Sequence, residues 1–479
     1  MTQTNPPLPA RTPDLDSVAR MHAIGRVLDA APVSRRRTML WMLAACGIGL
    51  DGFDLFIMST AGPLITEDFG LGAWGKSIAV GAAVVGAVPG AMISGRLADR
   101  IGRQRMLKID IVIFVATAIL SALAPNIWWL VVFRFFQGFA VGAEYPLSAS
   151  LIAEVMPGRS RAKWITGAFA FQALGMALAA FTSLLILTIY PDTSAWRWML
   201  LAGAVPAAAV AILRLGLPES PRWEAERGNV EVAERDTAWL TGVEVSVLPE
   251  DIAAAQKTMQ LTVEKAKFKD LWSPKFRRLI ILCAVPWFLM DIALYGVGLF
   301  APTIITGLLF PDSAASSTSF LRDDFEATAI TGFTDLFLVI GFALTILFVA
   351  RIGQIRLQII GFIGMTIGLV ILAVTGASGA EMWVLAGFII FNLMLNFGPN
   401  ATTYMLPVQV FPTRLRATAH GFSASSGKVG AVIGTFLLSP AVAAFGLTAV
   451  MSVIAVLAVT GAAVTFLFRV EPNFDHFDR

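Results

Sequence analysis

One apolar segment of the chain places a carboxylate between two aromatic side chains. The segment reads VPWFLMDIALYGVGLFAP, from Val285 to Pro302, with Trp287 four residues before Asp291 and Tyr295 four residues after it. At about 100° per residue, positions four apart differ by only ~40°, so these three side chains share one helix face. An indole N–H and a phenol O–H can both donate to the oxygen atoms of an anion. The spacing therefore predicts an anion-binding face that includes a carboxyl group.

That carboxyl group would connect anion binding to a proton. A low-dielectric environment disfavours the charged form of a carboxyl, so Asp291 is expected to bind a proton near neutral pH. The neutral acid donates a hydrogen bond to an anion, whereas the carboxylate repels it. Binding of the proton and of the anion then favour each other, as symport requires. Two alternatives stay open: Asp291 is a silent structural partner of Lys428, or Trp287 serves packing or anchoring at the membrane interface.

Further charged side chains fall inside or at the edges of apolar segments. Charges at bilayer depth are costly, and they commonly face the bundle interior and mark an ion or substrate route. The charged residues at such positions are Asp51, Asp54, Arg134, Glu144, Asp291, Asp335 and Lys428. For Arg134 we expect a structural pair or gate with Glu144 or Glu154. Asp335 is equally compatible with a solvated position near the outer end of its helix.

The composition is that of an integral membrane protein. Of the 479 residues, 56% are hydrophobic and 14% are charged, with a mean hydropathy of +0.73, whereas soluble domains are about 25% charged. The net charge of +3 does not call for a nucleic-acid partner. Cys46 and Cys283 both lie in apolar runs, so neither a disulfide framework nor a cysteine metal site is expected.

Hydropathy divides the chain into twelve segments long enough to cross a bilayer, for which about 20 apolar residues are needed. They lie near residues 39–62, 77–97, 106–125, 127–153, 164–190, 196–217, 279–309, 328–350, 356–377, 382–406, 418–441 and 446–468. The prediction is an all-α integral membrane protein with twelve transmembrane helices in two six-helix bundles. The bundles are residues 39–217 and 279–468; residues 1–38, 218–278 and 469–479 are the N-terminal tail, the middle loop and the C-terminal tail.

Lys and Arg in the short loops predict the orientation. Alternate loops are basic, and they carry Arg35, Arg36, Arg37, Arg96, Arg100, Arg103, Arg105, Arg159, Arg161, Lys163, Arg351, Arg356, Arg414 and Arg416. The same side holds both termini and the middle loop, so both termini are predicted to be cytoplasmic in a multi-pass protein of the cell membrane. The first 38 residues are expected to be a soluble tail ending in a basic anchor. For the middle loop, short amphipathic helices at the cytoplasmic surface and a solvated linker are both open.

The loop between the second and third predicted helices carries the first family resemblance. It reads GRLADRIGRQRML, from Gly95 to Leu107, and resembles the loop signature of the major facilitator superfamily. The resemblance implies a conformational latch formed by Gly95, Asp99, Arg100, Gly102 and Arg103. An acid here can pair with a guanidinium group or a helix N-terminus; simple positive-inside anchoring is the alternative. The equivalent loop of the second half, VARIGQIRLQ, lacks the acid.

Three longer stretches resemble the phosphate:proton symporters of that superfamily. They lie at residues 133–175, 286–297 and 396–431, and the last reads NFGPNATTYMLPVQVFPTRLRATAHGFSASSGKVGA. WRWML at Trp196 and LPESPRW at Leu217 resemble its sugar-porter-like branch. The resemblance covers nearly all of the membrane part and implies a major facilitator fold.

In those symporters, polar side chains from both halves hold phosphate in mid-membrane. The resemblance implies a substrate site formed by Tyr145, Gln172, Trp287, Asp291, Tyr295 and Asn400, to which we add Lys428 as an intramembrane cation. It also implies proton-coupling acids at Asp51, Asp54 and Glu144, and Asp291 is a further candidate. Two departures are Glu144, where the family usually has Asp, and Gln409, where it has an acid.

The leading hypothesis is a proton-coupled symporter for inorganic phosphate that works by rocking of the two halves, in a monomer without cofactors. The same mechanism acting on an aromatic or aliphatic carboxylate or a sugar is the near alternative, although a sugar site would offer more amides and stacked aromatics. A membrane sensor that binds the solute without transporting it is a remote third possibility. The scattered histidines, His22, His420 and His476, do not indicate an enzyme. The absence of a GxxxxGK[ST] motif argues against ATP-driven transport.

Overall fold

The computed structural model describes residues 14–260, 268–310, 317–375, 380–411 and 413–470. The N-terminal half contains α1 (Leu15–Ala30), α2 (Arg35–Asp68), α3 (Ala73–Ile101), α4 (Arg103–Ala122), α5 (Ile127–Val155), α6 (Arg161–Ile189), α7 (Trp196–Ala202) and α8 (Ala204–Arg214). The middle segment contains α9 (Pro221–Glu226), α10 (Val230–Thr241) and α11 (Pro249–Gln260). The C-terminal half contains α12 (Pro274–Leu299), α13 (Ala301–Leu309), α14 (Ser317–Ile352), α15 (Gln354–Thr375), α16 (Glu381–Asn396), α17 (Pro399–Val410), α18 (Thr413–Phe445) and α19 (Leu447–Phe468).

The prediction of an all-α integral membrane protein with two six-helix bundles is confirmed. Within the described residues, eleven helical stretches are long and apolar enough to cross a membrane. The twelfth crossing is α4, whose first half carries Arg103, Arg105, Lys108 and Asp110 and is correspondingly less apolar. Three crossings consist of two helices each: α7 with α8, α12 with α13, and α16 with α17.

The breaks within two of these crossings have local causes. Pro302 lies in the first turn of α13, where its ring cannot continue α12 because it clashes with the carbonyl four residues earlier. Between α16 and α17, Gly398 has φ +144°, and a Cβ there would lie 2.4 Å from the Leu357 carbonyl oxygen. Pro399 follows at the start of α17, a position that proline favours. This second break places Asn400 in the first turn of a new helix.

Glycines allow α3 and α5 to contact each other through their backbones. A Cβ at Gly86 would lie 1.9 Å from the Phe135 carbonyl oxygen, and one at Gly90 would lie 2.1 Å from that of Phe139. The run GAAVVGAVPGAMISG, residues 81–95, therefore serves helix packing as expected, since small residues let membrane helices approach closely.

Gly86→Ala tests this packing. The added methyl group has to push two backbones apart, and overpacking of this kind typically costs about 1–3 kcal/mol. We expect a lower thermal unfolding temperature of the purified protein in detergent. Gly307→Ala is the matched control, because a Cβ at Gly307 meets no atom within 4 Å. Equal melting temperatures for the two variants would contradict the packing argument.

Helices α1, α9, α10 and α11 pack together beside the N-terminal half, and we call them the helical module. Ile24 and Leu28 of α1 share a small buried core with Ala225, Val230 and Ala233. The described part of the N-terminal segment thus differs from the expected solvated tail, because α1 has an apolar face that the middle helices cover. For the middle loop, short amphipathic helices and a solvated linker were both open. Its described residues include the three helices α9, α10 and α11.

Ion pairs connect α1 to the middle helices. Arg20 Nη2 lies 2.5 Å from Glu234 Oε2, and Arg26 Nη2 lies 2.8 Å from Asp251 Oδ2. The hydrogen bonds from the Arg26 guanidinium lower the pKa of the Asp251 carboxyl group.

Several predicted sequence features lie outside the described residues: residues 1–13, 261–267 and 471–479, Asp312, and the side chains of Arg96, Arg414 and Arg416.

The two halves contact each other at both ends of the interior. At the end away from the helical module, Lys76 Nζ of α3 donates to Thr303 Oγ1 of α13 over 2.6 Å. Toward the helical module, the Phe169 ring of α6 stacks on the Tyr404 ring of α17, with centroids 4.5 Å apart and planes 8° from parallel. The interior between these two contacts contains the cavity described next.

Candidate functional site

A cavity of about 70 Å³ lies between the two halves. Helices α3, α5 and α6 contribute to it from one half, and α12, α17 and α18 from the other. All seven predicted substrate-site residues line it: Tyr145, Gln172, Trp287, Asp291, Tyr295, Asn400 and Lys428. The structure thus brings these side chains together, and their role in binding stays a prediction.

The predicted face of α12 lies close against α18. A Cβ at Gly427 would come within 2.4 Å of Trp287 Cδ1 and 2.9 Å of Asp291 Oδ2. The missing side chain at Gly427 is therefore what lets the indole and the carboxyl group reach their positions. Asp291 is only 2% exposed, and its Oδ2 atom is buried without a hydrogen-bond partner. Such an unsatisfied group is costly. A ligand could supply the missing hydrogen-bond partner, and a proton would remove the buried charge.

Lys428 connects the two halves across the cavity. Its Nζ atom donates to Tyr295 Oη over 2.9 Å and lies 5.0 Å from the centroid of the Tyr145 ring. It is the hydroxyl group of Tyr295, not the carboxylate of Asp291, that binds the ammonium group, so the fixed Asp291–Lys428 pair considered above is not formed. Both charged groups remain able to interact with a solute in the cavity.

Two amide side chains complete the polar lining. Gln172 Nε2 donates to Tyr145 Oη over 2.5 Å, within the N-terminal half. Asn400 Nδ2 donates to Asn396 Oδ1 over 2.8 Å, across the break between α16 and α17. The Gln172 Oε1 atom is buried without a partner. The lining therefore combines one ammonium group, one carboxyl group, aromatic N–H and O–H donors, and amides.

The predicted proton-coupling acids of the N-terminal half do not line the cavity. Asp54 Oδ1 lies 2.7 Å from Arg134 Nη1 and accepts a second hydrogen bond from Gln137 Nε2 over 2.6 Å. Arg134 is fully buried. The predicted pairing of Arg134 with Glu144 or Glu154 was wrong, because α5 is rotated about its axis so that the Arg134 guanidinium group faces α2.

Glu144 pairs instead with Arg214 of α8. Its two carboxylate oxygens lie 2.7 and 3.0 Å from the two terminal nitrogens of the guanidinium group, and Ser148 Oγ donates to Oε1 over 2.5 Å. Asp110 of α4 is buried beside this pair. Both Arg214 and Glu144 are at most 2% exposed, so two full charges are held in the low-dielectric interior.

We call Asp110, Glu144 and its partner Arg214 the acidic cluster. Asp51 lies between this cluster and the cavity. The charged groups that act on it are Glu144, Asp110, Asp54 and, from the other half, Lys428. Its Oδ2 atom is buried without a partner. Of the four proton-coupling candidates, Asp51, Asp54 and Asp291 each have a buried carboxyl oxygen without a partner. Asp54 and Glu144 each pair with an arginine, whereas Asp51 and Asp291 have no direct arginine partner among the described residues.

Asp335 does not occupy the solvated position that was considered for it. It is 3% exposed, and its Oδ1 atom accepts a hydrogen bond from Asn392 Nδ2 over 3.1 Å. The neighbouring helix α16 covers this face of α14, so the Asp335 carboxyl group is enclosed by protein.

The predicted latch residues lie together at the end of the bundle that carries the helical module. Arg103 Nη2 lies 2.9 Å from Asp99 Oδ1, and Arg103 Nε lies 2.9 Å from Glu154 Oε1. Gly102 has φ +107°, and a Cβ there would lie 2.2 Å from Glu219 Oε2. Glu219, in PESPR, accepts from the backbone N–H of Gln104 at the start of α4 over 2.8 Å. It is thus Glu219, rather than Asp99, that meets the helix N-terminus.

The remaining two latch residues have simpler surroundings. A Cβ at Gly95 would meet no atom within 4 Å. The Arg100 side chain is exposed, and its carbonyl oxygen accepts from Arg227 Nη2 of the helical module over 2.9 Å. None of these described contacts involves the C-terminal half, so the latch function stays a prediction.

Several cavity and cluster residues were missed from the sequence. Phe169, Tyr404 and His420 line the cavity, and Asp110 and Arg214 belong to the acidic cluster. Aromatic residues in apolar helices do not stand out from packing residues, and Arg214 sits near a helix end, where basic residues are common. His420 had a usable signal, because HG lies eight residues before Lys428 on the same helix.

Comparisons with known proteins agree with this architecture. The family model described as "Sugar (and other) transporter" matches residues 40–478. The chain is 30% identical to "Low affinity inorganic phosphate transporter 4" of Medicago truncatula over 455 residues, covering 85% of this chain and 84% of the relative. It is also 30% identical to "Inorganic phosphate transporter 1-4" of Arabidopsis thaliana, with the same two coverages.

Solved structures resemble the fold. The xylose transporter XylE from E. coli, in a partially occluded inward-open conformation, superposes with a TM-score of 0.75 at 19% identity, covering 91% of this chain and 99% of XylE. The proton:xylose symporter XylE bound to 6-bromo-6-deoxy-D-glucose gives a TM-score of 0.72 at 20% identity, covering 93% and 98%. The chain therefore belongs to the sugar (and other) transporter family of the major facilitator superfamily, and it is a multi-pass membrane transporter, not an enzyme.

Proposed function

We propose that this transporter is a proton-coupled symporter for inorganic phosphate that works by alternating access. One observation carries the proposal: a single cavity between the halves is lined by Lys428 and Asp291 together with the aromatic and amide donors of both halves. Transporters of this architecture commonly hold their substrate at the interface between two structurally related halves. The relatives named as inorganic phosphate transporters support phosphate as the substrate.

The size of the cavity favours a compact anion. A cavity of about 150 Å³ holds a benzene molecule in a protein interior, and the cavity here is about 70 Å³. A sugar ring has more heavy atoms than benzene, whereas phosphate has five. In this conformation the lining is therefore suited to a small tetrahedral oxyanion more than to a monosaccharide.

The charged groups and the aromatic donors of the lining have distinct roles in the proposal. The Lys428 ammonium group offsets the negative charge of the anion, and Trp287, Tyr145 and Tyr295 donate hydrogen bonds to its oxygens. Asp291 binds the coupling proton, because only its neutral form can lie beside an anion without repulsion. Proton and phosphate then bind together and are released together, which is the thermodynamic condition for coupling.

The acids of the N-terminal half would pass or retain protons beside this site. Of these acids, Asp51 interacts electrostatically with Lys428, so its protonation state alters the electrostatic potential in the cavity. Arg134 stabilises the charged carboxylate of Asp54, and Arg214 stabilises that of Glu144. We assign the transferable protons to Asp51 and Asp291, and a structural charge balance to the two arginine pairs.

The excess of Lys and Arg predicts the orientation of the whole molecule. In the proposal, the helical module and both termini lie in the cytoplasm, and the protein is in the cell membrane. The Asp99–Arg103–Glu154 contacts then form a cytoplasmic latch, while Lys76 and Thr303 close the opposite, external end.

Uptake into proteoliposomes tests the proposal. We expect accumulation of labelled phosphate when the external solution is more acidic than the interior, and loss of accumulation when a protonophore removes the gradient. Protein-free liposomes are the control for leakage. If the protein binds phosphate but does not take it up, the result favours the sensor hypothesis. If the protein neither binds nor takes up phosphate, phosphate is excluded as the substrate.

A sugar or organic anion is the competing substrate class, because the fold resembles a xylose transporter. Competition against labelled phosphate separates these possibilities. We expect arsenate to compete, and xylose, glucose, benzoate and succinate to have no effect at the same concentration. Uptake of one of these compounds in place of phosphate would overturn the substrate assignment but not the alternating-access mechanism.

A further inference from the structure

His420 lies in the cavity but has no role in the proposed mechanism. It is on α18, with Ala424 and Lys428 four and eight residues further along, and all three line the cavity. Steps of four residues keep side chains on one helix face, and eight residues span about 12 Å. His420 is therefore at the end of the cavity toward the helical module, while Lys428 is deeper inside.

The surroundings of His420 hold its ring in one orientation. Its centroid lies 5.1 Å from that of Tyr404 and 5.7 Å from that of Trp287, with near-perpendicular planes in both contacts. The ring is also hydrogen-bonded to the backbone of Tyr404. The N–H of Tyr404 lies within α17, so its carbonyl oxygen accepts and one ring nitrogen of His420 donates.

The second ring nitrogen then has a defined chemistry. In a neutral imidazole one nitrogen is a donor and the other an acceptor. With the donor engaged by Tyr404, the other nitrogen is an acceptor at the cavity. The donors that face the cavity are the Lys428 ammonium group, the Trp287 indole and the tyrosine hydroxyls, and Asp291 is neutral when it is loaded with its proton. Besides His420, the acceptors in the lining include the amide oxygens of Gln172 and Asn400, and the Gln172 Oε1 atom has no partner.

This distribution distinguishes two kinds of tetrahedral oxyanion. Sulfate is fully deprotonated near neutral pH and needs only donors from its site. Hydrogen phosphate and dihydrogen phosphate carry at least one O–H group, as do the corresponding arsenates. A buried O–H group that lacks an acceptor is costly, and a site built around such a group rejects ligands that lack it.

We propose that His420 accepts the O–H group of a protonated tetrahedral oxyanion and so selects phosphate and arsenate over sulfate. The inference rests on the proposed function and deepens it by assigning a specificity-determining residue. His420 in this role contacts the substrate but transfers no proton, so no bond is made or broken.

Binding competition with purified full-length protein tests this role. Labelled phosphate is displaced by unlabelled phosphate, arsenate or sulfate in wild type, His420→Phe and His420→Gln. Phenylalanine keeps a ring for Tyr404 and Trp287 but has no acceptor, whereas the amide oxygen of glutamine is an acceptor. For His420→Phe we expect phosphate and arsenate to bind about 10-fold more weakly, as for one lost acceptor, with sulfate unchanged. His420→Gln is expected to restore part of the phosphate-over-sulfate ratio.

The ratio separates specificity from damage to the fold. A structural defect weakens all three anions equally, and thermal unfolding of each variant reports folding directly. His22→Phe is the matched control, because His22 belongs to α1, contacts Thr258 over 3.1 Å and lies outside the cavity. An unchanged ratio in folded His420→Phe would overturn this inference alone. Wild-type protein that binds none of the three anions would overturn the proposed function, and the inference with it.

Discussion

Asp291→Asn is expected to abolish proton-driven accumulation of phosphate while leaving phosphate binding measurable. The amide keeps the size of the carboxyl group and its ability to donate a hydrogen bond, so it resembles the protonated acid. It cannot gain or lose a proton, so it cannot couple the anion to the gradient. We expect accumulation to fall to the level of protein-free liposomes and the dependence of binding on pH to be flattened. Wild-type protein is expected to bind phosphate more tightly at acidic pH.

The structure offers a matched control for this variant. Asp335 is equally buried in the same half but is hydrogen-bonded to Asn392 and does not line the cavity. Asp335→Asn is expected to retain accumulation and its pH dependence. If Asp291→Asn still concentrates phosphate in response to a pH gradient, the coupling proton must reside on another group, and Asp51→Asn becomes the next variant to measure.

Arg214→Met is expected to be the most destabilising single change. It leaves the Glu144 carboxylate buried without a cationic partner, whereas the intact pair has two guanidinium contacts at 2.7 and 3.0 Å. Removing one partner of a buried pair typically costs about 3–5 kcal/mol. We expect a strongly lowered unfolding temperature in detergent and a low yield of folded protein, with loss of transport as a consequence.

A double-mutant cycle distinguishes a stranded charge from lost packing. Glu144→Gln in the Arg214→Met background removes the uncompensated carboxylate, so the double variant is expected to be more stable than Arg214→Met alone. Arg161→Met is the exposed control: Arg161 and Asp29 pair at 2.5 Å, with side chains 32% and 44% exposed, and exposed pairs contribute about 0–1 kcal/mol. Additive effects of the two buried substitutions would show that the charges do not interact.

The sequence alone was sufficient for everything that depends on short-range periodicity. Apolar segment length predicted the crossings, because a bilayer demands about 20 apolar residues whatever the neighbouring helices do. The four-residue spacing of Trp287, Asp291 and Tyr295 predicted a shared face for the same local reason. Small residues between Gly81 and Gly95 predicted close helix contact, and the family resemblance named a set of residues that line one cavity.

Only the tertiary structure decided which distant groups meet. Arg134 pairs with Asp54 and Glu144 with Arg214, partners separated by 80 and 70 residues. These pairings depend on how each helix is rotated about its axis and on which helices are neighbours, and hydropathy carries no information on either. Asp335 is enclosed rather than solvated, and His420 enters the cavity, for the same reason. A periodic pattern indicates which face of a helix is special, but the partner of that face is set by the packing of the whole bundle.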